Sequence, residues 1–87
     1  MDFLLAQIVI SKAGRDKGQN FIIYDIDKDF AYIIDGNLRP LAKPKKKKLK
    51  HLQPTHYIDN NLQLLIKNGS YIKDSDIRTI LKKFNCI

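Results

Sequence analysis

Three short runs rich in β-branched and aromatic residues, 7–13, 21–27 and 30–34, are separated only by brief turn-type segments. Gln7-Ile8-Val9-Ile10-Ser11-Lys12-Ala13 breaks at Gly14-Arg15-Asp16-Lys17-Gly18. Phe21-Ile22-Ile23-Tyr24-Asp25-Ile26-Asp27 breaks at Lys28-Asp29, ahead of Phe30-Ala31-Tyr32-Ile33-Ile34. A parallel crossover needs about a dozen residues or more, so connections this short predict an antiparallel meander. Asp35-Gly36-Asn37 ends the third strand, where Gly36 can take positive φ. Period-two alternation sets Ile8 and Ile10 opposite Val9, and Phe21 and Ile23 opposite Ile22, Tyr24 and Ile26. Both faces of the first two strands are therefore apolar. One set can fill a barrel interior, but the other needs a cover.

The last third of the chain supplies a candidate cover, because its period changes. Ile58, Leu62, Leu65 and Ile66 form the stripe of an amphipathic helix, with Asp59 or Asn60 to cap it and Gly69 to end it. A second helix carries Ile77, Ile80, Leu81 and Phe84 on one stripe, with Asp74 as its expected cap and Lys82 and Lys83 at its C-terminal dipole end. Between meander and helices, Pro40 and Pro44 exclude a central strand, so 38–46 is a loop or an edge. A fourth strand is expected over 46–52, with Lys46, Lys48 and Lys50 on one face, Lys47, Leu49 and His51 on the other, and Pro54 stopping it. A short closing strand or turn before Tyr57 would complete a small barrel. Eighty-seven residues make a single domain that buries about 60–65 % of its unfolded surface. The expected class is mainly β with α: an antiparallel barrel over about 5–56, then two short helices within 57–87.

Charge narrows the function. The net charge is +7, yet between Gly36 and Ile58 there are seven basic side chains and no acidic one, while elsewhere nine basic residues face nine acidic ones. The excess is one local block, Lys43-Pro44-Lys45-Lys46-Lys47-Lys48-Leu49-Lys50-His51-Leu52, preceded by Arg39. Such a block repels itself and suits a polyanionic partner. Leu49 and Leu52 are interleaved as anchors, which argues against a disordered tail. Clustered lysine in place of arginine points to phosphate neutralisation over bidentate base reading. Few aromatics lie near the block, which argues against a base-stacking single-strand binder.

Other chemistries find little support. No hydroxyl or thiol has a base and an orienting group arranged beside it, so no enzyme, small-molecule substrate or cofactor is expected. Asp25-x-Asp27-x-Asp29 imitates the start of a calcium loop, but Phe30 stands where the glycine belongs. His51 and His56 are five apart and Cys86 is distant, so no metal site is expected. The lone Cys86 fits a reducing compartment, the apolar start lacks a basic leader, and no run approaches the ~20 residues of a membrane span. A soluble cytoplasmic protein without a membrane partner is expected.

The stretch from Gln7 to Ile23, a strand, a polar loop ending in Gly18 and a second strand, resembles the KOW motif. Its Ala-Gly-Arg-Asp-Lys-Gly core is similar to the opening of KOW-bearing large-subunit ribosomal proteins of archaeal and eukaryotic type. With Asp35-Gly36-Asn37-Leu38-Arg39 and the segment from Lys43 to Thr55, the chain resembles the small KOW-domain RNA-binding proteins of Gram-positive bacteria. The resemblance covers nearly the whole chain and is densest over 7–55. Ala6 departs from it, standing where the motif often begins with glycine, a position that serves a turn. The resemblance implies a Src-homology-3-like barrel that binds RNA, with ribosomal RNA and the large subunit as first partners.

Together these readings name Arg15 and Lys17 in the glycine loop, and Arg39, Lys43, Lys45, Lys46, Lys47, Lys48 and Lys50, as RNA contacts. His51 adds to the basic surface, and Gly14 and Gly18 shape the loop. Neutralising lysines 45–48 together is expected to leave the fold intact. The alternative is a protein-interaction module that contacts the transcription or translation machinery.

Overall fold

A computed structural model describes residues 3–86; Met1, Asp2 and Ile87, which the single-domain reading includes, lie outside the described residues. The strands are β1 (Gln7–Ser11), β2 (Asn20–Asp27), β3 (Phe30–Ile34), β4 (Lys45–Lys48) and β5 (Leu52–Ile58). A single 3-10 turn, Leu49–His51, joins β4 to β5, and the helices α1 (Asn60–Lys67) and α2 (Asp74–Asn85) come after β5. All five strands form one antiparallel sheet in the order β4-β3-β2-β1-β5, with the first three as the predicted meander.

Among the described residues no strand pairing joins β4 to β5, so the hydrogen-bonded sheet is open. It is nevertheless strongly curled. In a flat sheet the two edge strands would stand about 19 Å apart, four spacings of roughly 4.8 Å. A three-residue 3-10 turn rises only about 6 Å. The chain passes from one edge to the other through such a turn, so the edges must approach each other.

The strand predicted over 46–52 is two strands and the turn between them, and Pro54 does not stop it. Proline is tolerated in β5 because that strand is an edge, and Pro54 sits where the β1–β5 register shifts. The first strand ends at Ser11, short of Ala13, and the Lys12 amide adds one more bond along the β1–β5 register, donating to the His51 carbonyl at 2.8 Å. A second irregularity corrects the face assignment of Ile26. The register of β2 on β3 passes from Ile23↔Ile33 to Asp25↔Tyr32, so Tyr24 is an extra, bulged residue. Beyond it the alternation resets, and Ile26 joins the Val9 side, away from Ile22.

Two apolar clusters result. Val9, Phe21, Ile23, Ala31, Ile33 and Leu52 are buried within the curl. Ala6, Ile8, Ile22 and Ile34 are buried on the outer face beneath Leu62 of α1 and Ile77 and Leu81 of α2. The helices are thus the cover that the two-faced strands require. Asp59 caps α1, its carboxylate accepting the Leu62 amide at 2.8 Å. Gly69, at φ +66°, lets the Ser70 amide return to the Leu65 carbonyl at 3.0 Å and end the helix.

The cap of α2 is not Asp74. Lys73 holds the cap position, and the Asp76 carboxylate accepts its amide at 3.2 Å. Asp74 reaches outward and accepts the Leu41 amide at 2.7 Å, while the Arg78 Nη1 donates to the Gly36 carbonyl at 2.6 Å. Helix α2 is therefore bolted to the loop that leads into the lysine block. No helix among the described residues is long and apolar enough to cross a membrane.

Candidate nucleic-acid interface

The lysine block divides by strand alternation. In β4, Lys46 and Lys48 are exposed and Lys47 is buried, only 8 % accessible. Lys45 shares the inner side with Lys47 and is half-buried. Pairing with β3 sets Lys46 beside Tyr32 and Lys48 beside Phe30, while β2 sets Asp25 beside Tyr32 and Asp27 beside Phe30. Across three strands the outer face thus runs acidic, aromatic, basic, twice over. The Lys46 ammonium also lies over the Phe30 ring, 4.5 Å from its centroid, close enough for a cation–π contact.

On the inner side the lysines make a different arrangement. The Lys47 ammonium donates to Ser11 Oγ at 2.7 Å, to the Ala13 carbonyl at 2.7 Å and to Asp16 Oδ1 at 2.6 Å. Lys45 donates to Asp16 Oδ2 at 2.8 Å, and the Ser11 hydroxyl donates to Asp16 Oδ1 at 2.6 Å. A lysine ammonium has three N–H groups, so Lys47 has none left for an external acceptor. Burial alone would push the Asp16 carboxyl up. Hydrogen bonds from Lys45, Lys47 and Ser11, with the charge of Lys47, outweigh that and hold it well below the usual carboxylate range.

This cluster also has a mechanical meaning. Strand β4 is three places from β1 in the sheet, yet Lys47 reaches Ser11 at the end of β1. The contact crosses the inside of the curl, so side chains tie together what strand pairing leaves open. Loop 14–18 is held by the same pin. Gly14 and Gly18 both take positive φ, +85° and +88°, and the Gly18 amide donates to the Ser11 carbonyl at 2.8 Å. The expectation that lysines 45–48 can be neutralised together without harm to the fold is corrected here, because that change would strand Asp16.

The remaining named residues lie outside the pin. Arg15 and Lys17 are exposed on loop 14–18, Arg39 and Lys43 on the loop before β4, and Lys50 on the 3-10 turn. His51 is half-buried, and its carbonyl receives the Lys12 amide. Arg15, Arg39 and Lys45 come together along one groove of about 470 Å³, with Gln19, Phe21 and Leu38. Lys48 and Lys50 line a second cleft with Asp29, Phe30 and Leu49.

Sequence reasoning passed over Ser11, Asp16, Gln19 and Leu38. One signal was available: Asp16 is the sole acidic residue between Asp2 and Asp25, set inside an otherwise basic loop. No protein-family model and no curated protein matches this chain.

Proposed function

We propose that this protein binds RNA through the face formed by loop 14–18, the 35–43 loop and the outer side of β4, with large-subunit ribosomal RNA as first target. The observation that carries the reading is the split of the lysine block. Asp16 draws Lys45 and Lys47 inward, and Arg15, Lys17, Arg39, Lys43, Lys46, Lys48 and Lys50 remain exposed. Acidic residues 25, 27 and 29 border this surface on one side and orient an approaching polyanion. The strand order, with a 3-10 turn between the edge strands of an open but curled sheet, is what supports reading the fold as a Src-homology-3-like barrel.

If all seven exposed cations engaged duplex phosphates, log K would fall with log salt at a slope of about −6. Replacing Lys46 and Lys48 by glutamine should flatten that slope by roughly 2 while leaving the pin untouched. The test is co-sedimentation with ribosomal subunits across a salt series, with crosslinking to map the contact. A slope near zero, or crosslinks to protein alone, would reject RNA binding and favour a module that docks on protein.

A further inference from the structure

Three arginines occur among thirteen lysines, and their fates differ. Arg78 is committed to the Gly36 carbonyl. Arg15 and Arg39, twenty-four positions apart in sequence, line the same groove, and among the described residues neither guanidinium makes a hydrogen bond or ion pair. Two carboxylates also border the groove, but both are engaged. Asp16 is held by Lys45, Lys47 and Ser11, and Asp35 Oδ1 accepts the amides of Asn37 at 2.9 Å and Arg39 at 2.8 Å. Neither guanidinium is ion-paired among the described residues, although the Asp35 carboxylate keeps its negative charge beside the same groove.

The rest of the lining is not what a bare phosphate would require. Phe21, itself buried, forms the base, and Leu38 is 80 % exposed at the rim. The turn that carries Leu38 is tied at both ends. The Asp35 amide donates back to the Arg39 carbonyl at 3.0 Å, and Gly36 is so close to α2 that an added Cβ would stand 2.5 Å from the Asp74 carbonyl oxygen. Gln19 brings a side-chain amide with donor and acceptor to the same space. An exposed leucine alone means nothing. Beside two free guanidinium forks and an uncommitted amide, on a preorganised turn, it completes a site with an apolar wall, a polar reader and anion grips. A volume of about 470 Å³ suits a ligand the size of one nucleotide.

We infer that the groove between loop 14–18 and turn 35–39 receives a single nucleotide flipped out of an RNA stem. Its phosphate lies between Arg15 and Arg39, its base rests on Leu38, and Gln19 faces the base edge. The inference rests on the RNA-binding reading and deepens it: the lysines grip the paired stem, and the groove selects stems that carry an unpaired base. Arginine suits this task where lysine does not, because its fork meets phosphate and base edges with paired hydrogen bonds.

The test measures affinity, by fluorescence anisotropy, for two RNA hairpins of equal length and charge, one fully paired and one carrying a single-nucleotide bulge. The native protein should bind the bulged hairpin roughly tenfold more tightly. Leu38→Ala should abolish that preference and leave affinity for the paired hairpin unchanged, and Arg15→Lys with Arg39→Lys, which keeps the charge, should abolish the preference as well. All three side chains are exposed, so the melting temperatures should not move. A 4-thiouridine placed in the bulge should crosslink to loop 14–18 or turn 35–39 of the native protein. Equal affinity for both hairpins, preference retained in the variants, or crosslinks confined to β4 would overturn the nucleotide site while RNA binding stands. Failure to bind either hairpin would overturn both readings.

Discussion

Lys47 and Lys46 are adjacent and chemically identical, yet they do opposite things. Lys47 is a buried structural cation whose three donors are all used, and Lys46 is an exposed charge over an aromatic ring. Removing one partner of a buried, hydrogen-bonded pair leaves the other charge uncompensated. Lys47→Met should therefore destabilise the fold by about 3 kcal/mol, and adding Asp16→Asn should recover part of the loss. Lys46→Met should stay within about 0.5 kcal/mol of the native protein. Urea denaturation of the three variants checks both, and equal losses at 46 and 47 would contradict the pin. Asp16 also makes stability depend on pH. Its folded pKa is depressed, so its stabilisation is present above the unfolded value of about 3.9 and is lost as pH falls through the folded value. Thermal melts should show the native protein above Asp16→Asn at neutral pH, with the gap narrowing as pH falls below about 5. A gap independent of pH would remove Asp16 from the account.

At the scale of elements, helix α2 does more than lay its apolar stripe on Ile8, Ile22 and Ile34. Its N-terminal part holds the 35–41 loop through Asp74 on Leu41, Arg78 on Gly36 and the close approach to Gly36, and so sets where Leu38 and Arg39 stand. Two glycine substitutions separate conformation from contact. Gly18 has positive φ and open space around it, so Gly18→Ala should cost about 1–2 kcal/mol from backbone strain alone. Gly36→Ala carries the same strain and in addition drives a Cβ into the Asp74 backbone, so its loss of stability should be the larger. Denaturation midpoints of the two variants decide the order. Most of these elements were visible in the sequence, because short turns, alternating β-branched residues and a 3.6-residue stripe are local signals. The passage of β5 through Pro54 was not, since proline is excluded from a strand only when that strand is central, and centrality is a property of the sheet.

For the whole molecule, the decisive fact is a sheet with apolar residues on both faces. The curl buries one set and the helices bury the other. Removing residues 60–87 should uncover Ile8, Ile22 and Ile34 and yield a fragment that binds ANS or aggregates; a soluble, non-binding fragment would show that the outer cluster needs no cover. The sequence by itself determined the features that depend on neighbours along the chain: the antiparallel meander, the two helices with their stripes, and a charge excess confined to one block. The division of that block came only with the tertiary structure. Seven like charges in one block are equivalent until a strand gives them alternate faces and a distant carboxylate, Asp16, is folded against one of those faces. Arg15 and Arg39 likewise become neighbours only because the β1–β2 loop and the loop after β3 border one groove, a proximity that no spacing along the chain encodes.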